Sequence, residues 1–167
     1  MHKAILFAAL ALPLTGLAQQ PADRLVETYG QFAGSEANAK ALVTGLREKS
    51  DIVLSPTVTI RPPTEKMGFG NIDIALALTQ ASLRQQDIAK PTPEQLQTSL
   101  LGVLDMRAGG MGWGEIAHAL GFRLGELMRA ERAERTQRVA FERPERPARP
   151  ERVNRPDKPD RPQRAGR

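Results

Sequence analysis

Basic side chains near the C-terminus follow a strict period of three and could bind a polyanion. From residue 143 onward every third residue is Arg or Lys: Arg143, Arg146, Arg149, Arg152, Arg155, Lys158, Arg161, Arg164 and Arg167. A polyproline II helix has three residues per turn and rises about 3.1 Å per residue, so these cations would form one stripe with a spacing of about 9 Å. Such a cation stripe suits a repeating anion, and its binding should weaken steeply as salt rises.

The same segment also fits a second interpretation, as a solvated spacer that keeps the protein soluble. Proline shares the period of three over most of the segment, and Val153 is the only large apolar residue after Phe141. Because it cannot build a core, we predict that the basic tail, residues 136–167, is disordered. If the tail binds, its partner would be lipopolysaccharide, a cell-wall polymer or nucleic acid.

Elsewhere the residue types that perform catalysis are present but isolated. The chain has no Cys, so disulfides, thiolate catalysis and Cys-based zinc sites are excluded. His118 is the only histidine after residue 18, and a metal site needs two or more convergent ligands. The single carboxylates are Asp73, Asp87, Asp105, Glu115 and Glu126. No Gly-x-Ser-x-Gly motif occurs, and we therefore expect no enzyme, no metal and no cofactor.

One phrase, Met-Gly-aromatic-Gly-x-Ile-x-x-Ala-Leu, occurs twice, at residues 67–76 and 111–120. Its glycines are not those of a phosphate loop, because no convincing strand precedes them and no Lys-Ser/Thr follows. Both copies instead predict helix starts, with glycine as the N-cap and the Met folding back onto the first turn. We therefore predict that Phe69 and Trp113 occupy equivalent places, each at the N-terminal end of its helix and packed against a neighbouring helix.

The elements around these residues are mostly helical. Apolar residues at spacings of three and four, together with caps at Ser35 and Thr92, predict helices. A β-branched run interrupted by prolines predicts an extended loop with a short strand or two over 51–63. The predicted helices cover 23–32, 36–49, 71–86, 93–107, 113–120 and a segment from about Phe122. The fold class is all-α: a small bundle of about five to six helices in residues 19–135, with 71–86 as the buried centre.

The N-terminus predicts export. A positive start, an apolar run over residues 4–12 and small residues before Gln19 are typical of a signal peptide covering 1–18. The apolar run is too short to span a bilayer, which needs roughly 20 residues. Residues 19–128 carry 10 basic and 12 acidic side chains, whereas residues 129–167 carry 13 basic and 7 acidic. Residues 129–167 therefore account for the high isoelectric point of the chain.

Residues 93–132 resemble a trihelical unit of the helix-turn-helix kind. Ala117 stands where that motif needs a small residue, Gly121 occupies its turn, and Leu127 fills the apolar position of its second helix. In DNA-binding members, the start of that second helix presents polar or basic side chains to base edges. The corresponding residues are Arg123, Leu124, Gly125 and Glu126. The residues at the packing positions therefore fit the motif better than the residues at the base-contacting positions do.

The body from Val26 to Arg132 is also similar to an uncharacterised family of small exported proteobacterial proteins. The residues that carry this similarity are Pro62-Pro63-Thr64, Lys66-Met67-Gly68, the apolar run 72–78 and Met111-Gly112-Trp113-Gly114. The resemblance implies a periplasmic or secreted location and assigns no catalytic or binding residue.

Two hypotheses on function follow. In the first, the protein is an exported, non-enzymatic helical binding or structural module whose tail binds an anionic envelope polymer. In the second, residues 1–18 are retained and the protein is a cytoplasmic nucleic-acid binder of the helix-turn-helix kind. A mature chain that starts at Gln19 favours the first hypothesis, and a chain that retains Met1 favours the second.

Overall fold

A computed structural model describes residues 21–142, with side-chain surroundings through residue 137. Within this range the chain forms six helices and one hairpin, so the predicted all-α class is confirmed. The elements are α1 Pro21–Tyr29, α2 Glu36–Glu48, β1 Ile52–Ser55, β2 Val58–Ile60, α3 Phe69–Gln85, α4 Pro93–Ala108, α5 Trp113–Ala119 and α6 Leu124–Glu142.

Helix α3 is the centre of the bundle, as its wide apolar arc predicts. Ile72, Leu76 and Leu78 are fully buried, and the helix packs against α1, α2, α4 and α6. It begins at Phe69, two residues before the predicted start. Asp73 is therefore the fifth residue of α3 and lies beyond its first turn.

Local capping explains where the helices begin. The Ser35 hydroxyl accepts a hydrogen bond from the Asn38 N–H at 3.1 Å and starts α2. At α4 the Thr92 hydroxyl accepts from the Gln95 N–H, and the Gln95 side chain accepts from the Thr92 N–H at 2.9 Å. Such reciprocal capping satisfies two N–H groups that the helix leaves without partners. Both caps were predicted from the sequence.

The hairpin covers one side of the helices. Strands β1 and β2 pair antiparallel with Ile52 opposite Ile60, and both of these side chains are buried. A Cβ at Gly45 would lie 2.2 Å from the Ile52 side chain, so glycine is required in α2 for β1 to pack this closely. The Gln97 amide of α4 donates to the Thr59 carbonyl at 2.9 Å and holds β2 against that helix.

Helix α6 continues to Glu142, past residue 135 where the helical domain was predicted to end. Residues 1–20 and 143–167 lie outside the described part of the chain, and they include the predicted signal peptide and the cation stripe. None of the helices in residues 21–142 is both long and apolar enough to cross a membrane.

Candidate functional site

The two Met-Gly-aromatic-Gly segments begin their helices with the same backbone geometry. The N-cap of α3 is Gly68, with φ −72° and ψ 153°, and the N-cap of α5 is Gly112, with φ −69° and ψ 150°. Phe69 and Trp113 are each the first helical residue, and both are partly buried against the core. The predicted equivalence of these two aromatic residues is confirmed.

Each aromatic ring is covered by an arginine from the last turn of another helix. The Arg47 guanidinium of α2 lies 4.9 Å from the Phe69 ring centre and donates to the Met67 carbonyl at 3.2 Å. The Arg107 guanidinium of α4 lies 5.0 Å from the Trp113 ring centre and donates to the Met111 carbonyl. Cation–π contacts of this kind contribute about 0.5–1 kcal/mol at exposed sites.

The sequence did not reveal these arginines as a pair. Arg107 comes four residues before Met111, whereas the hairpin separates Arg47 from Met67. Because the two spacings differ, the sequence shows the repeat of the Met-Gly-aromatic-Gly motif but does not show that an arginine is associated with each copy.

The two segments lie next to each other and differ at the third helical residue. The Trp113 indole N–H donates to the Asn71 side-chain oxygen at 3.1 Å. In α5 the third residue is Glu115, whose carboxylate accepts from the Gly112 N–H at 2.6 Å and caps its own helix. In α3 the third residue is Asn71, which contacts the other segment, so α3 has no side-chain cap.

A second polar cluster, the polar anchor, consists of Tyr29 in α1, Asp73 in α3 and Arg135 in α6. The Arg135 guanidinium donates to both oxygens of the Asp73 carboxylate, at 2.6 and 3.2 Å. The Tyr29 hydroxyl donates to the same carboxylate at 2.7 Å. The anchor therefore joins the central helix to the first and the last helix.

Together, burial and charge raise the pKa values of two members of the polar anchor, Tyr29 and Arg135. Burial raises the pKa of Tyr29 far above its usual range, and the Asp73 carboxylate adds to that shift. Burial lowers the pKa of Arg135, but the hydrogen bond to Asp73 and the nearby negative groups raise it by more. Tyr29 therefore stays protonated and Arg135 stays charged near neutral pH, which suits a fixed hydrogen-bond network.

A second set of ion pairs also joins α3 to α6. Arg84 lies 3.5 Å from the carboxylates of both Glu131 and Glu134. Glu131 is only 5% exposed. Burial raises the pKa of Glu131, and the positive charge of Arg84 opposes that rise.

Three of the isolated residues of catalytic type lie on the surface around α5 and the start of α6. His118 is exposed on α5, Glu115 caps its own helix, and Glu126 pairs with Arg123 at 3.4 Å. Within residues 21–142 no group of three His, Asp or Glu side chains is placed to hold a metal ion. The nine cations of the stripe, Arg143 to Arg167, lie outside the described residues.

The trihelical resemblance concerns α4, α5 and α6. Ala117 is fully buried, Gly121 has φ +83° and Leu127 is partly buried, which suits the packing positions quoted for the motif. Comparison with family models, with curated proteins and with solved structures finds no match. Both resemblances therefore stay predictions.

Proposed function

We propose that the protein is an exported, non-enzymatic helical platform that presents its basic tail to an anionic polymer of the cell envelope. The observation that carries this proposal is the attachment of α6. Arg135 binds both carboxylate oxygens of Asp73 in the central helix, and α6 then continues to Glu142, directly before the first cation of the stripe. The element that leads into the stripe is thus fastened to the core.

The distribution of charge supports the same proposal. Residues 143–167 carry nine basic and four acidic side chains, whereas residues 19–128 have a slight acidic excess. A row of cations at a regular spacing suits a repeating anion better than a single small molecule, because each cation can meet a successive anionic group. Export is proposed from the signal-peptide pattern of residues 1–18.

The polar anchor suits a structural role better than a catalytic one. Both oxygens of the Asp73 carboxylate accept hydrogen bonds, and the raised pKa keeps the Tyr29 phenol protonated. A general base needs a pKa near the operating pH, which the Tyr29 phenol lacks. We therefore assign this cluster a role in fastening α6.

Nucleic acid, the partner in the second hypothesis, is also a repeating polyanion. At the start of α6, however, Arg123 pairs with the Glu126 carboxylate, and a carboxylate there repels the phosphate backbone. Nucleic acid binding is therefore the alternative result that the experiment below distinguishes from binding to an envelope polymer.

The experiment compares residues 19–167 with residues 19–142. The cut follows Glu142 because an earlier cut, after residue 128, would remove Arg135 and disturb the fold. Binding to lipopolysaccharide, to peptidoglycan and to duplex DNA is measured at low and moderate salt. We expect the longer chain to bind an envelope polymer and the shorter chain to lose that binding. Equal binding by both chains contradicts the proposal, and binding to DNA alone favours the second hypothesis.

A matched variant separates charge from length. Gln replaces arginine in the middle of the stripe, at Arg146, Arg149, Arg152 and Arg155. This variant keeps the length and the prolines of the tail but loses four positive charges. We expect much weaker binding to the envelope polymer, and unchanged binding contradicts an electrostatic role for the stripe.

A further inference from the structure

The charged side chains of α6 divide into an inward-facing set and an exposed set. Glu131 is buried and Arg135 is half-buried, and both form ion pairs with side chains of α3. Arg129 and Arg132, in contrast, are exposed. Residues three positions apart lie on the same face of a helix, so these two arginines are neighbours on the surface of α6. We call them the outer arginine pair.

No neighbouring carboxylate compensates the positive charge of the outer arginine pair. Within residues 21–137, neither Arg129 nor Arg132 forms an ion pair. The glutamates of α6 up to residue 137 are all paired with other arginines, either Arg123 or Arg84. The outer arginine pair therefore presents two positive charges to solvent.

The side chains beside the outer arginine pair leave it accessible to a large anion. An α-helix has 3.6 residues per turn, which places Gly125, Ala133 and Thr136 on the same side of α6 as Arg129 and Arg132. All three residues are exposed, small and uncharged. They neither repel an anion nor block its approach to the two guanidinium groups.

The outer arginine pair belongs to the element that leads into the cation stripe. Helix α6 continues to Glu142, and the first cation of the stripe is the next residue, Arg143. With a rise of 1.5 Å per residue, the helix extends about 15 Å from Arg132 to its end. The predicted spacing of cations in the stripe is about 9 Å, so Arg132 lies about two such spacings from the start of the stripe. A repeating anion that binds the stripe can therefore continue onto α6.

We propose that the outer arginine pair is a folded extension of the cation stripe and contacts the same anionic envelope polymer. This inference rests on the proposed function, because it takes the stripe as the main binding segment. The polar anchor fixes α6 to the central helix through Arg135 and Asp73. The backbone that carries the outer arginine pair is thus ordered before the polymer binds, which lowers the entropy cost of these contacts.

The experiment compares residues 19–167 with a double variant, Arg129→Gln with Arg132→Gln. Affinity for lipopolysaccharide and for peptidoglycan is measured over a range of NaCl concentrations. We expect the affinity of the variant for the bound polymer to be about tenfold weaker at low salt, because two exposed ion pairs are lost. The plot of log affinity against log salt concentration should become shallower by about 1.5, since fewer counterions are released.

A second double variant, Lys40→Gln with Lys90→Gln, is the matched control. It removes two exposed cations from α2 and from the loop between α3 and α4, and it changes the net charge by the same amount. We expect its affinity and salt slope to equal those of the unmodified chain. Equal effects of the two double variants overturn the inference, because net charge alone would then explain the loss.

Arg129→Lys with Arg132→Lys keeps both positive charges. We expect this variant to retain most of the affinity, and a loss as large as that caused by Gln overturns the electrostatic role of the pair. All of these substitutions are at exposed positions, so the midpoints of denaturant unfolding should agree with that of the unmodified chain.

The chain with four tail arginines changed to Gln separates failure of this inference from failure of the proposed function. If that chain loses affinity while the variant of the outer arginine pair binds like the lysine control, the stripe stands and the inference is overturned. If the unmodified chain binds neither lipopolysaccharide nor peptidoglycan, both proposals are overturned.

Discussion

At the scale of single residues, the docking of α6 depends on the Asp73 carboxylate. Arg135→Ala leaves this carboxylate with Tyr29 as its remaining side-chain partner. Breaking a buried ion pair costs about 3–5 kcal/mol, and since the Arg135 side chain is 30% exposed, we expect about 2–4 kcal/mol. Denaturant unfolding measures the loss. Arg132→Ala, an exposed change on the same helix, should stay within about 0.5 kcal/mol, and equal losses in both variants contradict the role of the anchor.

Glu131 makes the stability of the protein depend on pH. Burial raises its pKa in the folded protein above the usual 4.5, so its contribution to stability is greatest below that pH and falls as pH rises through the folded pKa. Glu131→Gln cannot ionise and lacks this loss. We expect the melting temperature of the variant, relative to the unmodified chain, to increase as pH rises above 4.5. A pH-independent difference between the two chains contradicts this assignment.

Among the described residues the buried Thr64 hydroxyl has no hydrogen-bond partner, so we predict that its removal stabilises the protein. Thr64→Val keeps the shape of the side chain and removes a buried polar atom that lacks a partner. We expect the variant to be more stable than the unmodified chain by about 1 kcal/mol, measured by denaturant unfolding. A loss of stability would show that the hydroxyl is already satisfied.

Residues that act locally were predictable, and residues that act over a long separation were not. Ser35, Thr92 and the two N-cap glycines act within a few positions of their own backbone, so their spacing revealed them. Arg135 and Asp73 lie 62 residues apart in the sequence. Arg135 is one of several charged residues in α6, and no short motif connects it with Asp73. The pairing of Arg47 with Phe69 was hidden for the same reason.

At the scale of elements, α3 carries the packing of the bundle. Leu76 is fully buried in it, and Leu76→Ala should destabilise the protein by about 2–5 kcal/mol. Val53→Ala is the control, since Val53 on β1 is 59% exposed and should cost less than about 1 kcal/mol. Denaturant unfolding compares the two variants. A small effect at Leu76 would contradict the central position of α3.

The sequence located those elements whose apolar residues recur in a strong pattern. The apolar arc of α3 covers more than half the helix, and its central position was predicted correctly. Eight of the 19 residues of α6 are charged, and two of these, Glu131 and Arg135, fasten its middle to α3. Apolar periodicity does not detect such contacts, so only the start of this helix was predicted, near Phe122. It begins at Leu124.

At the scale of the whole molecule, the charge is divided between a nearly neutral body and a basic C-terminal part. The order of residues in the sequence revealed this division of charge and the period of the predicted cation stripe. The attachment of the stripe could not be predicted from composition, because it depends on Asp73 in α3 meeting Arg135 in α6. The proposed platform thus combines the polar anchor of the bundle with the cationic segment that follows Glu142.

Salt dependence tests the central claim most directly. The affinity of residues 19–167 for lipopolysaccharide is measured over a range of NaCl concentrations, beside the chain with four tail arginines changed to Gln. If the stripe binds by releasing counterions, the logarithm of the affinity falls linearly with the logarithm of salt concentration. We predict a steep slope for the unmodified chain and a clearly smaller slope for the variant. Equal slopes, or an affinity that does not change with salt, would contradict the account.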